Sequence, residues 1–88
     1  MKKKNINICI VGLGYVGLPL AVEFSKKFKT VGFDTNPKRI NELKNNIDST
    51  KEITSLELKN SKDIIYTDDQ ESIKDCNIYI ITVPTPVN

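Results

Sequence analysis

The chain has 88 residues, a net charge of +2 and 27% charged residues. That length holds one modest core and not two domains, and so balanced a charge gives no pull toward nucleic acid or a membrane surface. No apolar stretch approaches bilayer-spanning length and no hydrophobic segment follows Met1 as in a secretory leader, so the expectation is a cytoplasmic protein with neither membrane nor nucleic-acid partner.

Lys2, Lys3 and Lys4 form a basic run at the terminus, where a frayed, solvated tail is expected. A first strand is predicted over residues 5–11, with Ile6, Ile8, Ile10 and Val11 as its apolar positions. A helix is predicted over residues 15–27, where Val16, Leu20, Phe24 and Phe28 recur at helical spacing. Pro19 lies near its first turn, where a missing N–H costs little. A short second strand covers residues 30–34. Asn36-Pro37 is a helix start, Asn36 as N-cap and Pro37 at the first helical position, and Ile40, Leu43 and Ile47 mark that helix's apolar face.

Thr54-x-x-Glu57 has the form of a capping box opening a short helix through Leu58. A third strand is predicted over residues 64–66, and Asp68 with Glu71 starts another short helix. Residues 77–83 are apolar on both faces through Ile78, Tyr79, Ile80 and Ile81, which suits an interior strand of a parallel sheet. Pro84 and Pro86 end it.

Strands alternating with helices predict an α/β fold: a Rossmann-like parallel sheet of about four strands with flanking helices, right-handed crossovers and strand order 3-2-1-4. In that order the apolar fourth strand is an edge with no outer partner. The 88 residues are therefore expected to be the first part of a longer polypeptide, continuing beyond Asn88.

Between the first strand and first helix stands Gly12-x-Gly14-x-x-Gly17, with Asp34 about 20 residues on, closing the second strand. This is the dinucleotide-binding fingerprint. Gly12 lets the chain turn sharply. Gly14, lacking a Cβ, lets a diphosphate approach the backbone, and Gly17 lets the helix pack on the strand. The turn from Gly12 through Leu13, Gly14, Tyr15 and Val16 to Gly17 then offers its amides, with the helix dipole behind them, to the diphosphate.

Asp34 is placed to accept hydrogen bonds from the adenosine ribose and to repel a 2′-phosphate, which favours NAD over NADP. Arg39 and Lys38 are nearby cations that could offset that repulsion. Arg39 is a candidate for the adenosine side, with a solvated helix residue as the alternative. After the last strand, Val83, Pro84 and Thr85 lie at the other wall of the crevice, where the Thr85 hydroxyl and N–H can meet a ribose or phosphate. Cys9 and Cys76 lack metal-ligand spacing, and the chain has no histidine. Both are expected to be structural thiols, and no residue is assigned to metal binding or catalysis.

Three segments together resemble the N-terminal NAD-binding domain of the UDP-glucose/GDP-mannose dehydrogenase family. They are the run from Gly12 to Ala21, Phe33-Asp34-x-Asn36, and Val83-Pro84-Thr85-Pro86. Asp48-x-Thr50-x-Glu52-Ile53 and the ending Ile81-Thr-Val-Pro-Thr-Pro-Val87 are most similar to the UDP-N-acetylhexosamine 6-dehydrogenases of polysaccharide synthesis. The resemblance implies oxidation of a C6 hydroxyl of a UDP-sugar to a carboxylate, using two NAD and a cysteine thioester. That cysteine lies downstream in the family, so the 88 residues alone are expected to be inactive. It also implies a UDP-sugar site in missing domains, a homodimer, and NAD contact by residues 13–17, by Asp34 and Arg39, and by Thr85. A non-catalytic nucleotide-sensing domain and another β-hydroxyacid dehydrogenase are the competing readings.

Overall fold

The computed structural model describes residues 6–61 and 63–82. Its elements are β1 (Asn7–Val11), α1 (Gly17–Ser25), β2 (Lys29–Phe33), α2 (Pro37–Lys44), α3 (Ser55–Asn60), β3 (Ile64–Thr67), a 3-10 turn (Gln70–Ile73) and β4 (Ile78–Ile81). All strand pairs are parallel, as the alternation of elements predicted, and the order is β3-β2-β1-β4, as the dinucleotide-fold rule predicted. Asn7 pairs with Lys29, Ile8 with Ile78, and Thr30 with Ile64.

Side chains alternate across the sheet. On one face Ile8, Ile10 and Ile64 meet Leu18, Ala21 and Val22 of α1, Ile40 and Leu43 of α2, and Leu58 of α3. The other face carries a smaller cluster of Cys9, Phe33 and Cys76, with Val11, Val31 and Ile73 against it. Central β1 is thus apolar on both sides. β4 stands at an edge among the described residues, and Ile78, Tyr79 and Ile81 are exposed there.

The helices differ in phase from the apolar spacing. Val16 is the N-cap of α1 and is exposed, while the buried stripe is Leu18, Ala21, Val22 and Ser25. Leu20, Phe24 and Phe28 flank that stripe and are partly buried. The helix starts at Gly17 because that residue is pressed against the Gly12 carbonyl, and this contact sets which face turns inward. In α2 the Asn36 side chain accepts from the Lys38 amide 3.0 Å away, with Pro37 next, as expected. Ile40 and Leu43 are buried, but Ile47 is exposed. The helix has ended at its C-cap Asn45, and Asn46 takes the left-handed conformation (φ 62°), which swings Ile47 off the apolar face.

The Thr54–Glu57 capping box forms with both reciprocal bonds. The 3-10 turn is capped by Asp69, whose carboxylate accepts from the Glu71 amide at 3.0 Å, and not by Asp68.

Candidate cofactor site

Gly12 leaves β1 with φ of +97°, a conformation that favours glycine. A Cβ there would run into the Thr82 carbonyl, and one at Gly17 would run into the Gly12 carbonyl. Gly12 and Gly17 are therefore glycines of close packing. Gly14 differs: a Cβ built on it meets nothing within 4 Å. The turn is open there, with Gly14, Tyr15 and Val16 all exposed. The backbone amides of these three residues have no hydrogen-bond partner among the described residues.

Leu13 lies beneath them, with no exposed surface. Its peptide groups are held on both sides. The Leu13 N–H donates to Asp34 Oδ2 at 2.9 Å, and the Leu13 carbonyl accepts from Arg39 Nε at 2.6 Å. Asp34 Oδ1 accepts from the Asn36 amide at 2.9 Å, so two amides fix the carboxylate against the turn at the C-terminal end of β2. The Leu13 side chain rests over Gly32 of β2, where an added Cβ would come within 3.1 Å of both its methyl groups. From β4, the Thr82 amide donates to the Val11 carbonyl at 2.8 Å and the Thr82 hydroxyl to the Gly12 carbonyl at 2.8 Å, tying the fourth strand to the turn.

Arg39 is 8% exposed, and its guanidinium turns inward beneath the turn. Besides Leu13 it engages Asp48, with Nη1 2.8 Å from Oδ1, and more distantly Glu42 at 3.5 Å. It is thus not a solvated helix residue. Asp48 also accepts from the Thr50 amide and hydroxyl and from the Glu52 and Ile53 amides. Burial by itself raises the Asp48 carboxyl. Its bonds from the Thr50 hydroxyl, the Ile53 amide, Arg39 and the Thr50 amide outweigh that and hold it at about 2. Nη2 of Arg39 and the Tyr66 hydroxyl are buried without a partner among the described residues.

Gly12, Leu13, Gly14, Tyr15, Val16, Gly17 and Asp34 thus come together around one turn. Val83, Pro84 and Thr85 lie outside the described residues. Gly32 and Asp48 were missed as supports of the turn: one is a glycine within a strand, the other an acid in an irregular segment, and neither has a periodic signature. The thiols are as expected. Cys9 and Cys76 are buried and unbridged, and burial, then the neighbouring Cys76, pushes the Cys9 thiol up to about 12. Among the described residues no cluster of three His, Cys, Asp or Glu could hold a metal, and no helix is long and apolar enough to cross a membrane. A hollow lined by Ser25, Lys26, Glu57 and Asp63 lies at the opposite end of the sheet and takes no part in the turn.

Residues 6–88 match the family model described as the UDP-glucose/GDP-mannose dehydrogenase family, NAD binding domain. The chain belongs to this family. It is 58% identical over 83 residues to UDP-N-acetyl-D-glucosamine 6-dehydrogenase of Salmonella typhi, covering 94% of this chain and 20% of that protein. It is 55% identical over 84 residues to protein CapL of Staphylococcus aureus, covering 96% of this chain and 20% of that one. Among solved structures, the UDP-D-ManNAc dehydrogenase of Pyrococcus horikoshii superposes with a TM-score of 0.85 at 31% identity, over 94% of this chain and 21% of that chain. The chain spans about a fifth of the length of the curated relatives it matches. The family domain binds NAD, and the open Gly14, the unpaired amides and the anchored Asp34 fit a dinucleotide.

Proposed function

We propose that the intact protein oxidises the C6 hydroxyl of a UDP-N-acetylhexosamine to the carboxylate, for polysaccharide synthesis. The observation that carries this reading is the 58% identity to a relative named for that reaction on UDP-N-acetyl-D-glucosamine. NAD supplies the hydride acceptor: the alcohol, water and two NAD+ give the carboxylate, two NADH and three protons. The residues described above bind and orient. The amides of Gly14, Tyr15 and Val16 take the diphosphate, with the α1 dipole behind them. Asp34 turns its remaining lone pairs to the adenosine ribose. A 2′-phosphate would meet that fixed carboxylate with no free guanidinium to offset it, because Arg39 is engaged by Leu13 and Asp48. Lys38 is exposed. Val83, Pro84 and Thr85 belong to the nicotinamide side of this reading.

Cys9 and Cys76 are unsuited to nucleophilic work, being buried with both thiols pushed up. The thioester cysteine and the sugar site belong to the downstream chain, so the 88 residues alone are inactive. The homodimer and the cytoplasmic setting go with this reading. Production of reduced nicotinamide by the intact protein across a panel of UDP-sugars tests it, with UDP-N-acetylglucosamine or its epimers expected to lead. Asp34→Ala is expected to raise KM for NAD about tenfold while leaving KM for the sugar in place. No turnover on any UDP-sugar, or equal KM values for the variant and the parent, would reject it.

A further inference from the structure

We infer that Asp48 is a positioning residue for the dinucleotide site: through Arg39 it holds the Leu13 carbonyl, and with it the amides of the glycine turn. Nothing in the turn's own sequence points to Asp48, which lies beyond α2 in an irregular segment.

The chain of contacts is short and buried. The Asp48 side chain has no exposed surface and that of Arg39 is 8% exposed. Oδ1 of Asp48 takes Nη1 of Arg39 at 2.8 Å, the Thr50 hydroxyl at 2.6 Å and the Thr50 amide at 2.9 Å. Oδ2 takes the Glu52 and Ile53 amides, each at 2.9 Å. The carboxylate is therefore immobile, and so is the guanidinium it faces. The opposite edge of that guanidinium reaches Leu13 through Nε.

A buried ion pair is costly to assemble and is a poor source of net stability. Its value here is placement. Leu13 is the residue whose N–H is already held by Asp34, so Arg39 fixes the second side of the same residue. The next residues, Gly14 to Val16, carry the unpaired amides. If Asp48 loses its charge, Arg39 is free to swing toward Glu42, and the turn is held from one side only. Amide donors serve an anion only when they converge, so a small drift of the turn weakens diphosphate binding.

This rests on the glycine turn being where NAD binds, and the test separates the two. NAD affinity and thermal melting are measured by calorimetry on the intact protein, its Asp48→Asn and Arg39→Lys variants, and the double variant. Asp48→Asn keeps the shape of the side chain but removes its charge and turns one of its two acceptor oxygens into an NH2 donor. It is expected to weaken NAD about tenfold, with the double variant binding no worse than Arg39→Lys alone, because both changes break one linkage. NAD affinity of Asp48→Asn within twofold of the parent would overturn the inference, as would losses that multiply in the double variant. Should Asp48→Asn not fold, Thr50→Val removes one donor from the same carboxylate; a measurable weakening supports the linkage and an unchanged affinity overturns it. A parent protein that took up no NAD would remove the site reading itself.

Discussion

Gly12, Gly14 and Gly17 have one side chain in common and two different reasons for it. At Gly17 a methyl group would collide with backbone, the Gly12 carbonyl, which cannot move without moving β1. Gly17→Ala is expected to cost about 3 kcal/mol or more. At Gly14 a methyl group meets nothing, so Gly14→Ala should alter stability by no more than about 0.5 kcal/mol. In the proposed site its methyl would stand in the diphosphate's place, and NAD affinity is expected to fall at least about tenfold. Urea unfolding and NAD titration on the two variants check this. A Gly14→Ala protein that binds NAD like the parent would show that the open space is not the ligand's. The glycine pattern was legible in sequence because backbone conformation restricts it so tightly. That Asp34 takes the Leu13 amide, or that Arg39 faces inward, was not, since both depend on where α2 packs.

At the scale of elements, local chemistry wrote itself plainly where it is self-contained. Asn36-Pro37 and Thr54-x-x-Glu57 form the caps their sequences announce. The buried stripe of α1 was misjudged by spacing alone, because a tertiary contact at Gly17 sets the helix phase. The segment after α2 was the least legible, as its order comes from one carboxylate gathering amides. It also carries a pH dependence. The Asp48 carboxyl is held at about 2, below its ordinary 3.8, so its stabilisation is complete above about pH 4 and is lost as pH falls through 2. Between about pH 5 and about pH 2 the parent should lose on the order of 2 kcal/mol more stability than Asp48→Asn. Urea midpoints at the two pH values measure it, and parallel losses in both proteins would refute the assignment.

For the whole molecule, alternating strands and helices with right-handed crossovers gave a parallel sheet, and the dinucleotide fingerprint after β1 gave the order β3-β2-β1-β4 among the doubly wound alternatives. The two faces are unequally covered. The helices lie over Ile8, Ile10 and Ile64, whereas Tyr79, Ile81 and Ile65 share the face of Cys9 and Val31 and are exposed. An apolar edge strand beside such a face favours self-association. The 88-residue chain on its own is expected to associate at tens of micromolar or above, and Ile81→Lys to reduce this, by sedimentation velocity. A monodisperse monomer at about 100 micromolar would contradict it.

Gly32 couples the sheet to the glycine turn through Leu13. Its bare backbone in the middle of β2 is the recess into which the Leu13 side chain sinks. One additional carbon at this floor would come within 3.1 Å of both Leu13 methyl groups and 3.2 Å of the Tyr66 ring, so both side chains would have to give way by a few tenths of an ångström.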